Sequence, residues 1–198
     1  DEFSLNSDNH GFIANLKQLE SFRKQLNDGS LKVNKDTVIT MTADIVVNEG
    51  NAKKWAAGKE LPDEWIPING FTGTFDGGGY SISGLYVNSA DSTITGRGLF
   101  TKTNGAVIKN LKIVNSFYKG NVSAGTGVVV GQGNGTFENI YTDAIMIDTA
   151  KKGRIGGIIG QIDGNTTVRN CWVATDIDSN NTYVGGIFGN ISASGYQI

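Results

Sequence analysis

From residue 71 onward, a short cluster of glycine and apolar residues recurs along the chain at a nearly constant spacing. The steps between successive clusters are 25, 30, 29 and 29 residues, measured between their last members, Phe75, Phe100, Val130, Ile159 and Phe188. A second cluster follows each of the first four, and its first residues are Ile82, Ile108, Phe137 and Val168. Two sets of positions that recur with nearly the same spacing indicate an internal structural repeat, which restricts the chain to a stacked architecture.

The second cluster predicts a strand that turns a corner. Its apolar positions fall at i, i+3 and i+5, whereas an uninterrupted strand would place them at i, i+2 and i+4. The extra residue implies a bend. The position before the middle apolar residue holds glycine or asparagine, the residue types that most readily accept a positive φ angle. These residues are Gly84, Asn110, Asn139 and Asn170.

Short strand-forming pieces with no room for a crossover helix predict an all-β fold, a parallel β-helix or β-solenoid with rungs of about 29 residues. We expect it to be right-handed, as parallel crossovers almost always are. Each repeat should supply one rung, and the rungs should stack about 4.8 Å apart. The expected inward stacks are Phe75, Phe100, Val130, Ile159 and Phe188 in one row, and Ile82, Ile108, Phe137 and Val168 in another.

Residues 1–36 differ from the repeats and are predicted to hold a capping α-helix. Their apolar residues recur at helical spacing until Asn27-Asp28-Gly29, a plausible stop. A helix suits this place because the end rung of a solenoid exposes an apolar cross-section and unpaired strand edges. The apolar residues of the predicted helix are Phe12, Ile13, Leu16, Leu19, Phe22 and Leu26.

The solenoid is expected over residues 37–198. An alternating strand over residues 37–47 should open it, and residues 48–64 should form a loop insertion longer than a rung needs. The final rung is incomplete, because the sequence stops before its second cluster. We therefore expect either an open last rung or further domains beyond residue 198.

Composition argues against several classes of function. A net charge of −2 with scattered Lys and Arg argues against nucleic-acid binding. No apolar run approaches the roughly 18 residues of a membrane span, so no transmembrane segment is predicted. The start, Asp1-Glu2-Phe3, lacks the regions of a signal peptide, so an exported protein would already have lost its signal.

Catalytic and metal-binding sets are hard to assemble from these residues. His10 is the only histidine, so neither a Ser-His-Asp or Cys-His set nor a histidine-rich zinc site can be built. Cys171 shares its repeat position with Leu85, Leu111 and Ile140, which favours a buried structural thiol. We expect no catalytic residue, cofactor or metal ion. Acidic side chains with arginine partners keep a polysaccharide-active enzyme open as an alternative, on Asp143, Asp148, Asp163, Asp176, Asp178, Arg97, Arg154 and Arg169.

The strongest candidate for binding is the outward position after each middle apolar residue, occupied by Tyr86, Lys112, Tyr141 and Trp172. If the rungs are in register, these side chains form an exterior row, one per rung. Exposed aromatic side chains beside a cation suit sugar rings or a protein partner. The alternative is cross-rung stacking that only stabilises the sheet. Trp55, in the 48–64 loop, is a second candidate for ligand binding, whereas Trp65 is expected to pack under the first full rung.

Four segments of the chain carry a recognisable pattern: Trp65-Ile-Pro-Ile, Phe71-Thr-Gly-Thr-Phe-Asp-Gly-Gly-Gly-Tyr-Ser-Ile-Ser-Gly-Leu, Gly98-Leu-Phe and Ile155-Gly-Gly-Ile-Ile-Gly. They resemble the GLUG-repeat family of bacterial cell-surface and secreted proteins, which also occurs in non-catalytic regions of some immunoglobulin A peptidases. The resemblance covers roughly residues 12–192. Val128-Val129-Val130-Gly131 departs from it by lacking the glycine pair.

The resemblance implies a non-catalytic module, displayed on a bacterial surface or secreted. We expect it to bind a glycan or an extracellular glycoprotein of a host, or to space other domains from the cell. An accessory region that positions substrates for a large secreted peptidase is the alternative, and a polysaccharide-active enzyme is a third.

Overall fold

The protein is a parallel β-solenoid of about six turns with rungs of about 29 residues, as the repeat predicts. The computed structural model describes residues 2–89, 93, 95–120, 125–148, 153–180 and 182–192. The helices are α1 (Leu16–Asp28) and α2 (Ala52–Ala56). The strands are β1 (His10–Ile13), β2 (Val38–Met41), β3 (Ile45–Val46), β4 (Thr74–Asp76), β5 (Ser81–Ser83), β6 (Tyr86–Val87), β7 (Phe100–Gly120), β8 (Gly125–Gly127), β9 (Val130–Asp148), β10 (Arg154–Gly156), β11 (Ile159–Arg169), β12 (Trp172–Val173), β13 (Asp176–Ser179), β14 (Tyr183–Gly185) and β15 (Phe188–Ile191).

One large sheet wraps around the solenoid, and its strands pair in parallel in the order β1-β2-β4-β7-β9-β11-β15. The long strands β7 and β9 run round corners, so that one strand contributes to more than one face of its rung. A smaller parallel sheet, β14-β10-β8, lies beside it. The core consists of apolar side chains that point inward from successive rungs and are almost completely buried.

The corners lie where the asparagines predict them. Asn110, Asn139 and Asn170 have φ angles of 53°, 52° and 51°, and Gly84 has a φ of 79°. Left-handed backbone is strained for most side chains but is tolerated by asparagine and glycine, so the repeat retains these residue types where the chain must bend.

The predicted inward stacks are correct in the later rungs and wrong in the first. Phe100, Val130, Ile159 and Phe188 do pair in one row, but that row begins at Ile68. Phe75 belongs to the other row, where it lies between Ile39 and Ile108. Ile82, which was assigned to that row, pairs with Ile45 and Ile113.

The cause of this error is a longer turn in the first full rung. Asp76 pairs with Lys109 and Ser81 pairs with Lys112, so residues 77–80 lie opposite only Asn110 and Leu111. Gly84 therefore lies opposite Asn115, which also has a positive φ of 47°. The dipeptide Gly84-Leu85 resembles Asn110-Leu111, so the longer turn at residues 77–80 cannot be recognised from the sequence.

The predicted capping helix exists, although it begins at Leu16 rather than at Phe12. Asn15 caps its first turn by accepting a hydrogen bond from Gln18 N, and Gly29 ends it with a φ of 79°. Phe12 and Ile13 belong instead to β1, which extends the sheet beyond β2. Helix α1 closes this end of the core through Phe22, whose ring lies 5.0, 6.1 and 6.4 Å from the rings of Phe3, Phe71 and Phe75.

Candidate functional site

Three of the predicted binding residues form one exterior row. Lys112 pairs with Tyr141, and Tyr141 pairs with Trp172, so their side chains leave the same face of three successive rungs. Ser81 precedes them in the first full rung, opposite Lys112. The side chain of Trp172 is 70% exposed, Lys112 is exposed and Tyr141 is half-buried. Large aromatic side chains that remain in water on a regular scaffold are available for a partner.

This row lies along one side of a groove with a volume of about 630 Å³, which we call the outer groove. Its other side carries the corner asparagines, and Leu111 and Ile140 lie between the two sides along the chain. The residues that line it are Asp76, Gly78, Gly79, Asn110, Leu111, Lys112, Asn139, Ile140, Tyr141, Asn170 and Trp172.

Two of the corner asparagines are joined to each other and to a carboxylate. The side-chain amide of Asn139 donates to Oδ1 of Asn110 (3.0 Å), and the amide of Asn110 donates to Oδ1 of Asp76 (3.0 Å). We call these three residues the asparagine ladder. An amide can donate two hydrogen bonds and accept two, so Asn110 and Asn139, which both line the groove, retain unused hydrogen-bonding capacity.

Asp76 is held ionised at the end of the ladder. Burial opposes its charged form, but hydrogen bonds from Asn110 and from the backbone of Gly78, together with the Lys109 ammonium 3.5 Å away, outweigh this effect and lower the pKa of the carboxyl. Because Lys109 offsets its charge, Asp76 acts mainly as a fixed hydrogen-bond acceptor.

The charges beside the groove are mostly paired. Arg169 and Glu138 form a salt bridge of 2.9 Å next to the Tyr141 and Trp172 rungs. Lys112 is exposed and forms no salt bridge with any described residue, although its charge acts on the Asp44 carboxylate. The outer groove therefore offers flat apolar surfaces, a row of amides and one exposed cation. That combination suits a ligand with apolar ring faces and many hydroxyl groups.

Tyr86 does not belong to the exterior row. The register places it opposite Phe117 rather than Lys112, and only 4% of its surface is exposed. Its ring stacks on Phe117 at 5.5 Å and meets the Trp55 ring edge-on at 6.1 Å. Its hydroxyl accepts a hydrogen bond from the Asn88 side chain. The expectation that Tyr86 extends the row is wrong, because the longer first turn shifts it along the rung.

Trp55 is also buried, with 3% of its surface exposed, although the polar loop around it predicted exposure. It lies on α2, which packs over Tyr86, Phe117 and the half-buried Ile145 and Ile147. Asn115 fixes the segment by accepting from Ala52 N and donating to the Gly50 carbonyl, both at 3.0 Å. Trp55 and Tyr86 therefore stabilise the insertion. Trp65 is buried in the main core, as predicted.

A smaller pocket of about 260 Å³ lies beside this aromatic cluster. It is lined by Trp55, Ala56, Gly58, Leu61, Tyr86, Asn88, Phe117, Lys119 and Ile147. Leu61 is 80% exposed at its rim. The pocket lacks the repeated amides of the outer groove, so it presents less hydrogen-bonding capacity to a polar ligand.

The groups considered for catalysis do not converge on the outer groove. Asp163 accepts from Gln132 (3.0 Å) and Asn134 (2.9 Å) on another face, and Asp143 and Asp176 line a different cavity of about 160 Å³. The Cys171 thiol is half-buried, and burial raises its pKa. In the part of the chain that the structure describes, no group of three or more metal-binding side chains is present.

The role of the asparagines in the groove was not predicted from the sequence. Their positions predicted only a positive φ. A second signal was available, since residues 110, 139 and 170 keep the amide although glycine would satisfy the bend equally well. Retention of a hydrogen-bonding side chain at each corner indicates a contact outside the backbone.

The chain is similar to a known protein over most of its length. The chain is 35% identical over 158 residues to halomucin of Haloquadratum walsbyi (strain DSM 16790 / HBSQ001). The matched region covers 78% of this chain and 2% of halomucin, so the chain spans a very small part of that relative. No family model and no solved structure matches the chain. Of the helices in the described part, none has the length and hydropathy of a membrane-spanning helix.

Proposed function

We propose that this chain is a non-catalytic solenoid module, displayed on a cell surface or secreted, that binds glycans in the outer groove. The observation that carries the proposal is the row of Lys112, Tyr141 and Trp172 facing the corner asparagines across one groove. Similarity to halomucin over most of the chain supports an extracellular location.

The chemistry of the groove favours carbohydrate. The ring faces of Tyr141 and Trp172 present flat apolar surface, which complements the C–H face of a sugar ring. The asparagine amides and the Asp76 carboxylate supply donors and acceptors for hydroxyl groups. Polar groups at fixed positions beside apolar walls are the usual composition of a small-molecule or saccharide site.

Binding is favoured over hydrolysis because glycoside cleavage requires two carboxyl groups that face each other across the substrate. Among the described lining residues of the outer groove, Asp76 is the one carboxylate, and it already accepts hydrogen bonds from Asn110 and Gly78. This argument supports a recognition role for this groove over the polysaccharide-active alternative.

The test is binding of the purified chain to a panel of glycans and host glycoproteins, with calcium and with chelator. The test variant is the double substitution Tyr141→Ala/Trp172→Ala. The control is Leu61→Ala/Tyr183→Ala, which removes an exposed leucine and a 48% exposed tyrosine outside the outer groove. We expect the test variant to lose at least about tenfold in affinity and the control to bind normally.

Thermal unfolding of both variants separates binding from folding. Specific binding that is lost only in the test variant, with its fold intact, supports the proposal. Failure of the unmodified chain to bind any member of the panel, with a test variant that is merely less stable, would contradict it. The exterior row would then be a structural ladder, and spacing of other domains would be the better interpretation.

A further inference from the structure

We infer that the ligand of the outer groove is an internal segment of a linear polysaccharide that lies along the solenoid axis, with about one sugar unit on each rung. The inference rests on the proposed function and specifies its ligand class. It follows from how the groove is built, since three successive rungs each contribute an asparagine and an exterior side chain at equivalent positions.

The groove repeats with the rungs. Asn110-Leu111-Lys112 and Asn139-Ile140-Tyr141 each provide an amide, an apolar residue and an exterior side chain, and Asn170 and Trp172 provide the amide and the exterior side chain of the next rung. Asp76, Gly78 and Gly79 line it in the rung before. Four rungs about 4.8 Å apart make the lining about 14 Å long. A site of this length and periodicity complements a polymer better than a single sugar.

The hydrogen bonds of the asparagine ladder all run in the same direction along one side of the outer groove. Asn139 donates to Asn110, and Asn110 donates to Asp76, so the amides of successive rungs point the same way. In the ladder, Asn110 donates one hydrogen bond and accepts one, and Asn139 donates one, whereas an amide can donate two and accept two. The unused donors and acceptors of the amides therefore recur once per rung. The length that one pyranose unit adds to an extended glycan is close to the spacing between rungs.

The groove is open beside Gly79, where an added Cβ would meet nothing within 4 Å. A polymer that fills the repeated positions can leave the groove at this end, whereas recognition of a terminal sugar there would need a closed wall.

The experiment is calorimetric titration of the whole chain with three length series. The probes are cello-oligosaccharides and chito-oligosaccharides of one to six units, and hyaluronan oligosaccharides of two to eight units. In the series that binds, we expect affinity to rise at least about tenfold from one or two units to four, and then to level off as the rungs of the groove are filled.

Variants report which rungs are occupied. Lys112→Ala and Trp172→Ala lie on rungs two apart, so both should weaken a tetramer while a monosaccharide responds to one at most. Leu61→Ala serves as the matched control outside the groove. A tetramer modified at both ends should bind as tightly as the free tetramer, because no end group is recognised.

The outcomes distinguish this inference from the proposed function. Full affinity for a monosaccharide that depends on Trp172 would overturn the inference and leave glycan binding in place, as would loss of binding on end modification. Absence of binding in all three series and in the glycan panel would overturn both. Retained binding to a glycoprotein after its glycans are removed would assign the groove to a polypeptide and would also overturn both.

Discussion

The side-chain amide of Asn139 donates a 3.0 Å hydrogen bond to Oδ1 of Asn110, one rung away, while both residues hold left-handed backbone. The same two residues therefore turn the chain and connect adjacent rungs. They also line the outer groove, so that the corner of the solenoid and its candidate binding surface are one structure.

Asn139→Gly and Asn139→Ala should separate the two structural roles of the ladder. Glycine keeps the positive φ and removes the hydrogen bond, which should cost about 0.5–1.5 kcal/mol. Alanine adds the strain of left-handed backbone, about 1–2 kcal/mol more. Urea unfolding measures both values. Equal destabilisation by the two variants would show that the backbone bend contributes nothing to the choice of residue.

Asp76 should contribute to stability at neutral pH and lose that contribution in acid. Its folded pKa is lowered, so the stabilising effect is fully present above the unfolded value of about 3.9 and disappears as the pH falls through the folded pKa. Stability of the wild type and of Asp76→Asn should therefore differ at pH 6, and the difference should shrink as the pH falls from about 3.9 through the lower folded pKa. Denaturant titrations at a series of pH values test this.

Asp36→Asn is the control for the acid series, because Asp36 is an exposed residue paired with the exposed Lys35. Exposed pairs of this kind contribute little to stability. If Asp36→Asn followed the pH dependence of Asp76→Asn, the effect would reflect total charge rather than the ladder.

Trp172→Ala and Phe137→Ala should differ sharply in their effect on folding. Trp172 is 70% exposed, so its removal should cost no more than about 1 kcal/mol. Phe137 is fully buried between rungs, and its truncation should cost about 3–5 kcal/mol. Comparable losses in thermal unfolding would mean that Trp172 is needed mainly for the fold.

The fold could be derived from sequence because a repeat constrains every rung by the same rule. Asn110, Asn139 and Asn170 mark equivalent corners, and the structure has positive φ at each. The placement of Tyr86 could not be derived. Gly84-Leu85 resembles the corner dipeptides of later rungs, but the turn at residues 77–80 is two residues longer than the equivalent turn at residues 110 and 111. Similarity between residues does not reveal where a turn has lengthened.

The burial of Trp55 could not be predicted from the sequence either. Its neighbours Lys53 and Lys54 make the segment polar, and only the packing of α2 on the outer surface shows that the indole points inward. In the outer groove, Lys112, Tyr141 and Trp172 were accessible to sequence reasoning because they follow inward residues of the repeat. Asp76 was not, since the rung that holds it has the atypical turn.

Trp55→Ala should destabilise the insertion without affecting ligand binding in the outer groove. The indole is 3% exposed and packs on Tyr86, so its truncation should cost about 3 kcal/mol and speed amide hydrogen exchange over residues 50–58. Leu61→Ala, at an 80% exposed position of the same pocket, should change stability by less than about 0.5 kcal/mol. Glycan affinity measured on folded Trp55→Ala should equal that of the wild type, because Trp55 does not line the outer groove. A specific loss of binding in this variant, with the rungs still protected from exchange, would move the recognition site from the asparagine corners to the aromatic cluster under α2.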